Sequence, residues 1–493
     1  MRGLCLGILL CLLAIPAEVA AQVEKEQSTL PEAIRYGIRF DLDPKDQSLA
    51  GTADVTIVNP GEVAVSRAPL LLYRLMDVES VTGEDGRPLV FAQRVVRFSD
   101  EPTWQVNAIQ VTLATPLAPR RQTTLHVRYG GPLVGLREVM QYVHDTVSDD
   151  YTLLRAETIP YPMVAPASEA GWRHFLNSAV HFDITTVVPA GQVAVCAAPD
   201  AGEAETREGR TTYHCAGEGA AGRINVAVSR FRVLEDSARG LRVYAMPTDA
   251  AASDRVMGEL RRALDFYRSY LGEARGGTLA LVEIPEGWGS YLEPGTIFQA
   301  AAAFKDEAQS YELWHEVAHR WNACGSFQPG QACSDTVQRT RWFDEAFASY
   351  FEGLAMRQFD GPEAFRAHME RSRQNFIRRA ERDPRGRTTP IAEYAKEELG
   401  GFSYTKGAWS LYVLHTYLGE EAFRKGMSEF VAAYRDRPVD FAAFRSSLEK
   451  STGRDLGRWY QQWILSGTDS SDLLIQGKTV EEMAAMCGAA AGR

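Results

Sequence analysis

No two of the 7 cysteines in this chain stand in a C-x-x-C spacing, which excludes a cysteine-ligated zinc module. There is no internal repeat and no long low-complexity tract, so solenoid and array architectures are excluded as well. Basic charge is in deficit. Lys and Arg number 53 against 64 Asp and Glu, and the net charge of −11 argues against a nucleic-acid partner. Beyond the first 21 residues no apolar run is long enough to span a bilayer. What is present, 45% hydrophobic and 24% charged residues, is ordinary for a globular protein. A chain of 493 residues exceeds a single hydrophobic core, so two or three domains are expected.

Residues 1–21 read as an export signal: Arg2, an apolar core from Leu4 to Ile15, and the small-residue site Val19-Ala20-Ala21 before Gln22. Cys5 and Cys11 lack the small preceding residue of a lipidated cysteine. The expectation is an exported protein, periplasmic or extracellular, with no stable membrane insertion once the signal is cleaved. Export permits disulfides. Of the five remaining cysteines, Cys196 is expected to pair with Cys215, and Cys324 with Cys333, leaving Cys487 over.

Residues 28–238 read as a β-rich domain, because short segments alternate apolar and polar residues and end in turn signals. Residues 197–222 read as a solvated loop, and the scattered His126, His144, His174, His181 and His214 as structural or surface residues. A boundary is expected at Glu235–Gly240. A small α/β segment follows, and the chain then becomes helical, with apolar residues at i, i+3, i+4 from Phe343 to Leu465. The arginines between Arg366 and Arg387 are interleaved with acids and read as a solvated helix face. The tail, 467–493, is polar and Ala/Gly-rich, with one short helix at most.

The chemistry centres on His315-Glu316-Val317-Ala318-His319. On a helix, residues four apart share a face, so both imidazoles can grip one metal ion while Glu316 stands beside its open position. Neutral imidazole suits Zn²⁺, which acidifies water; Glu316 can take the proton and pass it to a leaving amine. The bland alternative is two surface histidines on an ordinary helix. Asp306 to Gln309 read as a capping box at the entry of this helix, and Gly325 as its stop. A catalytic zinc commonly takes a third protein ligand. Glu345, at the start of an amphipathic helix, is the candidate; in the helical register Asp344 points to a neighbouring face and Glu352 elsewhere.

These segments resemble the gluzincin metallopeptidases related to membrane alanyl aminopeptidase and leukotriene A4 hydrolase. That family joins H-E-x-x-H to W-x-x-E-[GA]-F-A-x-Y, here Trp342 to Tyr350, and to Y-x-K-G-A, here Tyr404-Thr405-Lys406-Gly407-Ala408. The resemblance covers roughly residues 30–466 and implies a multidomain α+β protein. Its N-terminal β-rich, saddle- or sandwich-like domain would precede a thermolysin-like, mostly helical catalytic domain at 239–466. It further implies one Zn²⁺ per chain held by His315, His319 and Glu345, with Glu316 as general base and Tyr404 as a donor to the oxyanion.

Two departures stand out. The interval from Arg320 to Asp344 is longer than the family's, and the excess coincides with Cys324–Cys333, read as a disulfide-pinned surface insertion. The family's G-x-M-E-N strand, whose glutamate binds a substrate's free amine, is replaced by Gly287-Trp288-Gly289-Ser290-Tyr291-Leu292-Glu293-Pro294-Gly295. Either Glu293 is that glutamate and the asparagine is lost, or Leu292 stands in its place; a one-residue slip turns a strand's side chain to the other face. Glu157 is a second, weaker candidate for holding the amine, and Trp288 and Tyr291 are candidates for shaping the pocket. Three functional readings follow: a zinc aminopeptidase acting on peptides, a zinc endopeptidase or other hydrolase without an N-terminal rule, and a non-catalytic β-rich binding protein with a structural zinc. The oligomeric state is left open.

Overall fold

The computed structural model describes residues 30–135, 145–196, 200–201, 204–220, 224–274, 277–293, 295–323, 335–434 and 437–488. The expected signal segment and the expected Cys324–Cys333 bridge lie outside these residues.

The N-terminal half is built on an eight-stranded sheet. Strand Glu32–Asp43 pairs antiparallel with Ser48–Val58 and parallel with Ala179–Pro189. Its alternation explains the pairing: Tyr36, Ile38, Phe40 and Leu42 are all buried on one face, opposite Ala53, Val55 and Ile57 of the neighbouring strand's core face. A three-stranded sheet, Val65–Leu72 with Gln105–Leu117 and Phe91–Arg97, supplies Leu70, Leu72, Val106 and Val111 to the same core. The result is the expected sandwich-like arrangement of two apolar faces. One element departs from expectation. The stretch read as a solvated loop contains the eleven-residue strand Arg210–Ala220, paired along its whole length with Ala179–Pro189. Its polar side chains face outward on a sheet that needs only one apolar face, which conceals a strand from a hydrophobicity reading. The bridge between Cys196 and Cys215 is formed.

The C-terminal half opens with a five-stranded sheet, followed by helices. Its edge hairpin, Arg232–Asp236 with Leu241–Ala245, straddles the expected boundary. A second three-stranded sheet, Tyr151–Leu154 with Val226–Ser229 and Val193–Cys196, joins the halves. Tyr151, Leu153, Val195, Ala227 and Phe231 pack directly on Val282, Ile284, Phe298 and Ala300. Tyr151–Leu154 and Val226–Ser229 are buried on both faces because they lie between the two bodies. At this seam Arg155 and Asp145 form a buried bidentate pair, Nη2 to Oδ1 at 2.8 Å, with the guanidinium 5.0 Å over the Trp288 ring.

The tail also differs from expectation. It holds two helices, Thr468–Ile475 and Val480–Gly488, whose Leu474, Met483 and Cys487 are buried in the helical core. Apolar residues too sparse for an obvious stripe still suffice for a short helix that covers an existing core.

Candidate active site

The helix Ser310–Ala318 buries Leu313, Trp314, Val317 and Ala318 in the helical core and presents His315 at its opposite margin. Asp306 caps the preceding 3₁₀ turn, Glu307–Gln309, by accepting from the Ala308 amide at 2.9 Å. The expected box with Gln309 is therefore not formed: the tighter turn brings the Ala308 amide to the cap, and Gln309 instead accepts from the Tyr311 hydroxyl at 2.9 Å. The helix ends at Ala318, before the expected stop at Gly325, which lies outside the described residues; His319 opens a 3₁₀ turn, His319–Trp321. The two imidazoles still share a face, with centroids 4.8 Å apart and planes at 82°.

Glu345 lies in a π turn, Trp342–Ala346, where the amides of both Glu345 and Ala346 bond to the Arg341 carbonyl, at 2.9 and 3.2 Å. Its Oε2 is 3.2 Å from His315 Nε2 and 3.5 Å from His319 Nε2. Two ligands at 2.0–2.1 Å from a tetrahedral ion lie about 3.3 Å apart, so the spacing and the N, N, O donor set both fit zinc. His315, His319 and Glu345 thus form a possible metal site, with ligand atoms within 4.8 Å of one another. Burial alone would push the Glu345 carboxyl up, but the two imidazoles and Arg341 hold it well below the usual carboxylate range.

The acids set aside in the sequence are part of the same cluster, which corrects their reading. Glu352 Oε2 is 3.0 Å from His315 Nδ1, and Asp344 Oδ1 is 3.0 Å from His319 Nδ1. Each carboxylate fixes a ring by its inner nitrogen and leaves Nε2 for the ion. The signal was available for Glu352: seven residues after Glu345 is two helical turns, hence the same face. For Asp344 no helical register applied, because a π turn rotates its side chain toward His319. Asn322, donating to Asp344 at 2.8 Å, and Arg341, bonded to both Asp344 and Glu345, were not anticipated.

Glu316 is buried, and its Oε2 has no hydrogen-bond partner among the described residues. Burial raises its pKa. Tyr404 lies in a second π turn, Ser403–Gly407, with its ring 6.2 Å from that of His315 and nearly parallel at 5°. Tyr404 as a residue is 40% exposed, but partial desolvation of its phenol and the Glu345 carboxylate raise its pKa, so at neutral pH it is an O–H donor. The two π turns touch: a Cβ on Gly407 would lie 2.7 Å from Ala346 Cβ and 3.1 Å from Trp342 Cδ1. Glycine at this place in Y-x-K-G-A is what lets the Tyr404 segment approach the Glu345 segment.

Glu293 ends the edge strand Tyr291–Glu293, in register with Thr296 opposite. Leu292 faces the helical core, while Tyr291 and Glu293 face the seam with the N-terminal half. Glu293 is 1% exposed, and its Oε1 accepts from Asn225 Nδ2 at 3.1 Å. Glu157, half-buried in the turn Ala156–Thr158, is brought to the same neighbourhood: the buried Tyr291 phenol is raised further by both the Glu293 and Glu157 carboxylates. Trp288 packs beneath Arg155 and edge-on to Tyr151 at 5.9 Å, and Tyr291 stacks on Phe298 at 4.8 Å.

Residues 297–463 match the Peptidase family M1 domain. Among curated proteins, the chain is 28% identical over 264 residues to "Probable aminopeptidase 2" of Sulfurisphaera tokodaii, covering 49% of this chain and 32% of that protein. It is 26% identical over 164 residues to "Aminopeptidase N" of Streptomyces lividans, covering 32% of this chain and 18% of that protein. The matched stretch thus spans a third or less of these relatives. Among solved structures, an M1 zinc metallopeptidase from Deinococcus radiodurans superposes with a TM-score of 0.59 at 17% identity, covering 88% of this chain and 94% of that one. The fold is that of these two-domain M1 metallopeptidase structures, and His315, His319 and Glu345 are placed as a possible metal site. Residues 297–463 thus match the peptidase domain of the M1 family, whose solved members here are zinc metallopeptidases.

Proposed function

We propose that this protein is an exported zinc-dependent aminopeptidase that removes N-terminal residues from peptides. The observation that carries the reading is the convergence of His315, His319 and Glu345 beside an unpartnered, buried Glu316 oxygen and the Tyr404 ring. A zinc ion held by the three ligands would supply Lewis acidity to water and to the scissile carbonyl. Glu316, desolvated and so made a stronger base, takes the proton from the attacking water and returns it to the leaving amine. The Tyr404 phenol, kept protonated, donates to the developing oxyanion. Asp344 and Glu352 hold the imidazoles in place. Glu316→Gln should abolish turnover with the metal content unchanged; full activity in that variant would sink the mechanism.

A second reading, a zinc hydrolase without an N-terminal rule, is favoured by one observation. Glu293, the expected amine anchor, is 1% exposed and already bonded to Asn225. Comparing free and N-acetylated peptides separates the two. Loss of cleavage on acetylation supports the aminopeptidase; equal cleavage supports the second reading.

A further inference from the structure

The helix Pro362–Arg382 carries Asn375, Arg378, Arg379 and Arg382 at i, i+3, i+4 and i+7, so the three guanidiniums emerge on one face. They line an open cavity of about 550 Å³ whose apolar wall is Leu399 and Phe402. Most neighbouring arginines are matched with an acid: Arg366 with Glu363, Arg373 with Glu370, Arg385 with Asp383 and Arg387 with Asp472. The three in the cavity are not. Arg378 bonds only to Asn375, Arg379 donates to the Gly401 carbonyl at 2.8 Å, and Arg382 has no carboxylate within ion-pair distance among the described residues. The two acids on the rim are engaged elsewhere, Asp383 by Arg385 and Glu398 by Arg339. The arginine run is a largely exposed face interleaved with acids, as expected. Half of its arginines are ion-paired, and three of the others gather on one concavity.

The segment that lines the concavity also packs on a residue of the candidate active site. Between its lining residues Leu399 and Phe402, a Cβ on Gly400 would lie 2.8 Å from Arg341 Cγ, and one on Gly401 would lie 2.4 Å from Arg379 Nη2. Arg341 bonds to Glu345, and the chain reaches Tyr404 two residues after Phe402. Arg379 is held over the Phe402 ring at 4.8 Å, so one guanidinium is already oriented. In a protein of net charge −11, three unpaired cations on one hollow are a local exception that selects for an anion.

Resting on the peptidase reading above, we infer that this hollow binds a carboxylate side chain of the substrate downstream of the scissile bond, so that peptides with an acidic residue at one set position are preferred. Bidentate guanidinium–carboxylate bonding is the chemistry that would recognise it.

The test uses peptides with one N-terminal residue and a single glutamate moved from the second to the sixth position, each compared with its glutamine counterpart. At one position the glutamate peptide should show a kcat/KM about tenfold higher, through KM, with the advantage shrinking as salt is raised. In an Arg378→Gln/Arg382→Gln double variant, whose side chains hold no other element, the glutamate-to-glutamine ratio should fall to about 1. A ratio near 1 at every position in the unaltered protein, or one the double variant leaves intact, overturns the inference. Calorimetric titration of the same peptides into Glu316→Gln protein decides the matter even if none is cleaved, which would count against the peptidase reading instead. No glutamate-dependent binding there refutes the hollow's role. Tighter binding of a short single-stranded DNA than of the acidic peptide would refute the peptide assignment.

Discussion

A neutral imidazole offers a metal one lone pair, and which nitrogen carries it depends on what holds the other. Here both inner nitrogens face carboxylates, Glu352 on His315 and Asp344 on His319. The centre is therefore two histidines and three acids, with Arg341 offsetting part of the negative charge. Removing an orienting acid leaves the ligand in place but frees its ring. Glu352→Gln is expected to weaken metal binding by about 10–100-fold, measured by competition with a chelator. An affinity within twofold of the unaltered protein would show that packing alone orients His315.

At the scale of elements, two π turns do what regular helices could not. Trp342–Ala346 aims Asp344 and Glu345 at the two histidines, and Ser403–Gly407 brings Tyr404 alongside. The second turn is pinned from behind. Lys406 is fully buried and donates to the Gly467 carbonyl at 2.8 Å and to Ser471 Oγ at 3.0 Å, tying the Tyr404 segment to the C-terminal helices. Desolvation brings its pKa down to about 7, below the ordinary 10.5. Between those values the unfolded chain binds a proton that the folded chain does not, so folding stability rises with pH over that window. The unfolding free energy of the native sequence should therefore gain on that of Lys406→Met as pH is raised from 7 to 10. A constant difference would show that the lysine is charged in the folded state throughout.

At the scale of the molecule, the halves are joined by an apolar seam flanking the buried Arg155–Asp145 pair and the Glu293 neighbourhood. Leu153, fully buried on a strand covered from both sides, belongs to that seam. Leu153→Ala should cost about 2–5 kcal/mol and split a single thermal transition into two. A single transition with an unchanged midpoint would mean the halves are held by other contacts.

Local order carried much of the information. The histidine pair, the sandwich strands and the helical half were legible because each rests on a period of two or of 3.6, or on a spacing of four, and Glu345 from its place at a helix start within the Trp342–Tyr350 motif. What lay beyond reading depended on departures from those periods or on partners far along the chain. A π turn has no sequence period, so the service of Asp344 was invisible; Glu352 was legible by its two-turn spacing and was misread. The outward-facing strand Arg210–Ala220 and the tail helices hid because their apolar contacts are supplied by distant elements. By itself the sequence determined which residues could hold a metal. Only the tertiary structure decided which acids orient the ligands, that Glu293 meets Asn225, and that three arginines stay unpaired around one hollow, because each of those facts is a distance between segments that the chain's local preferences do not set.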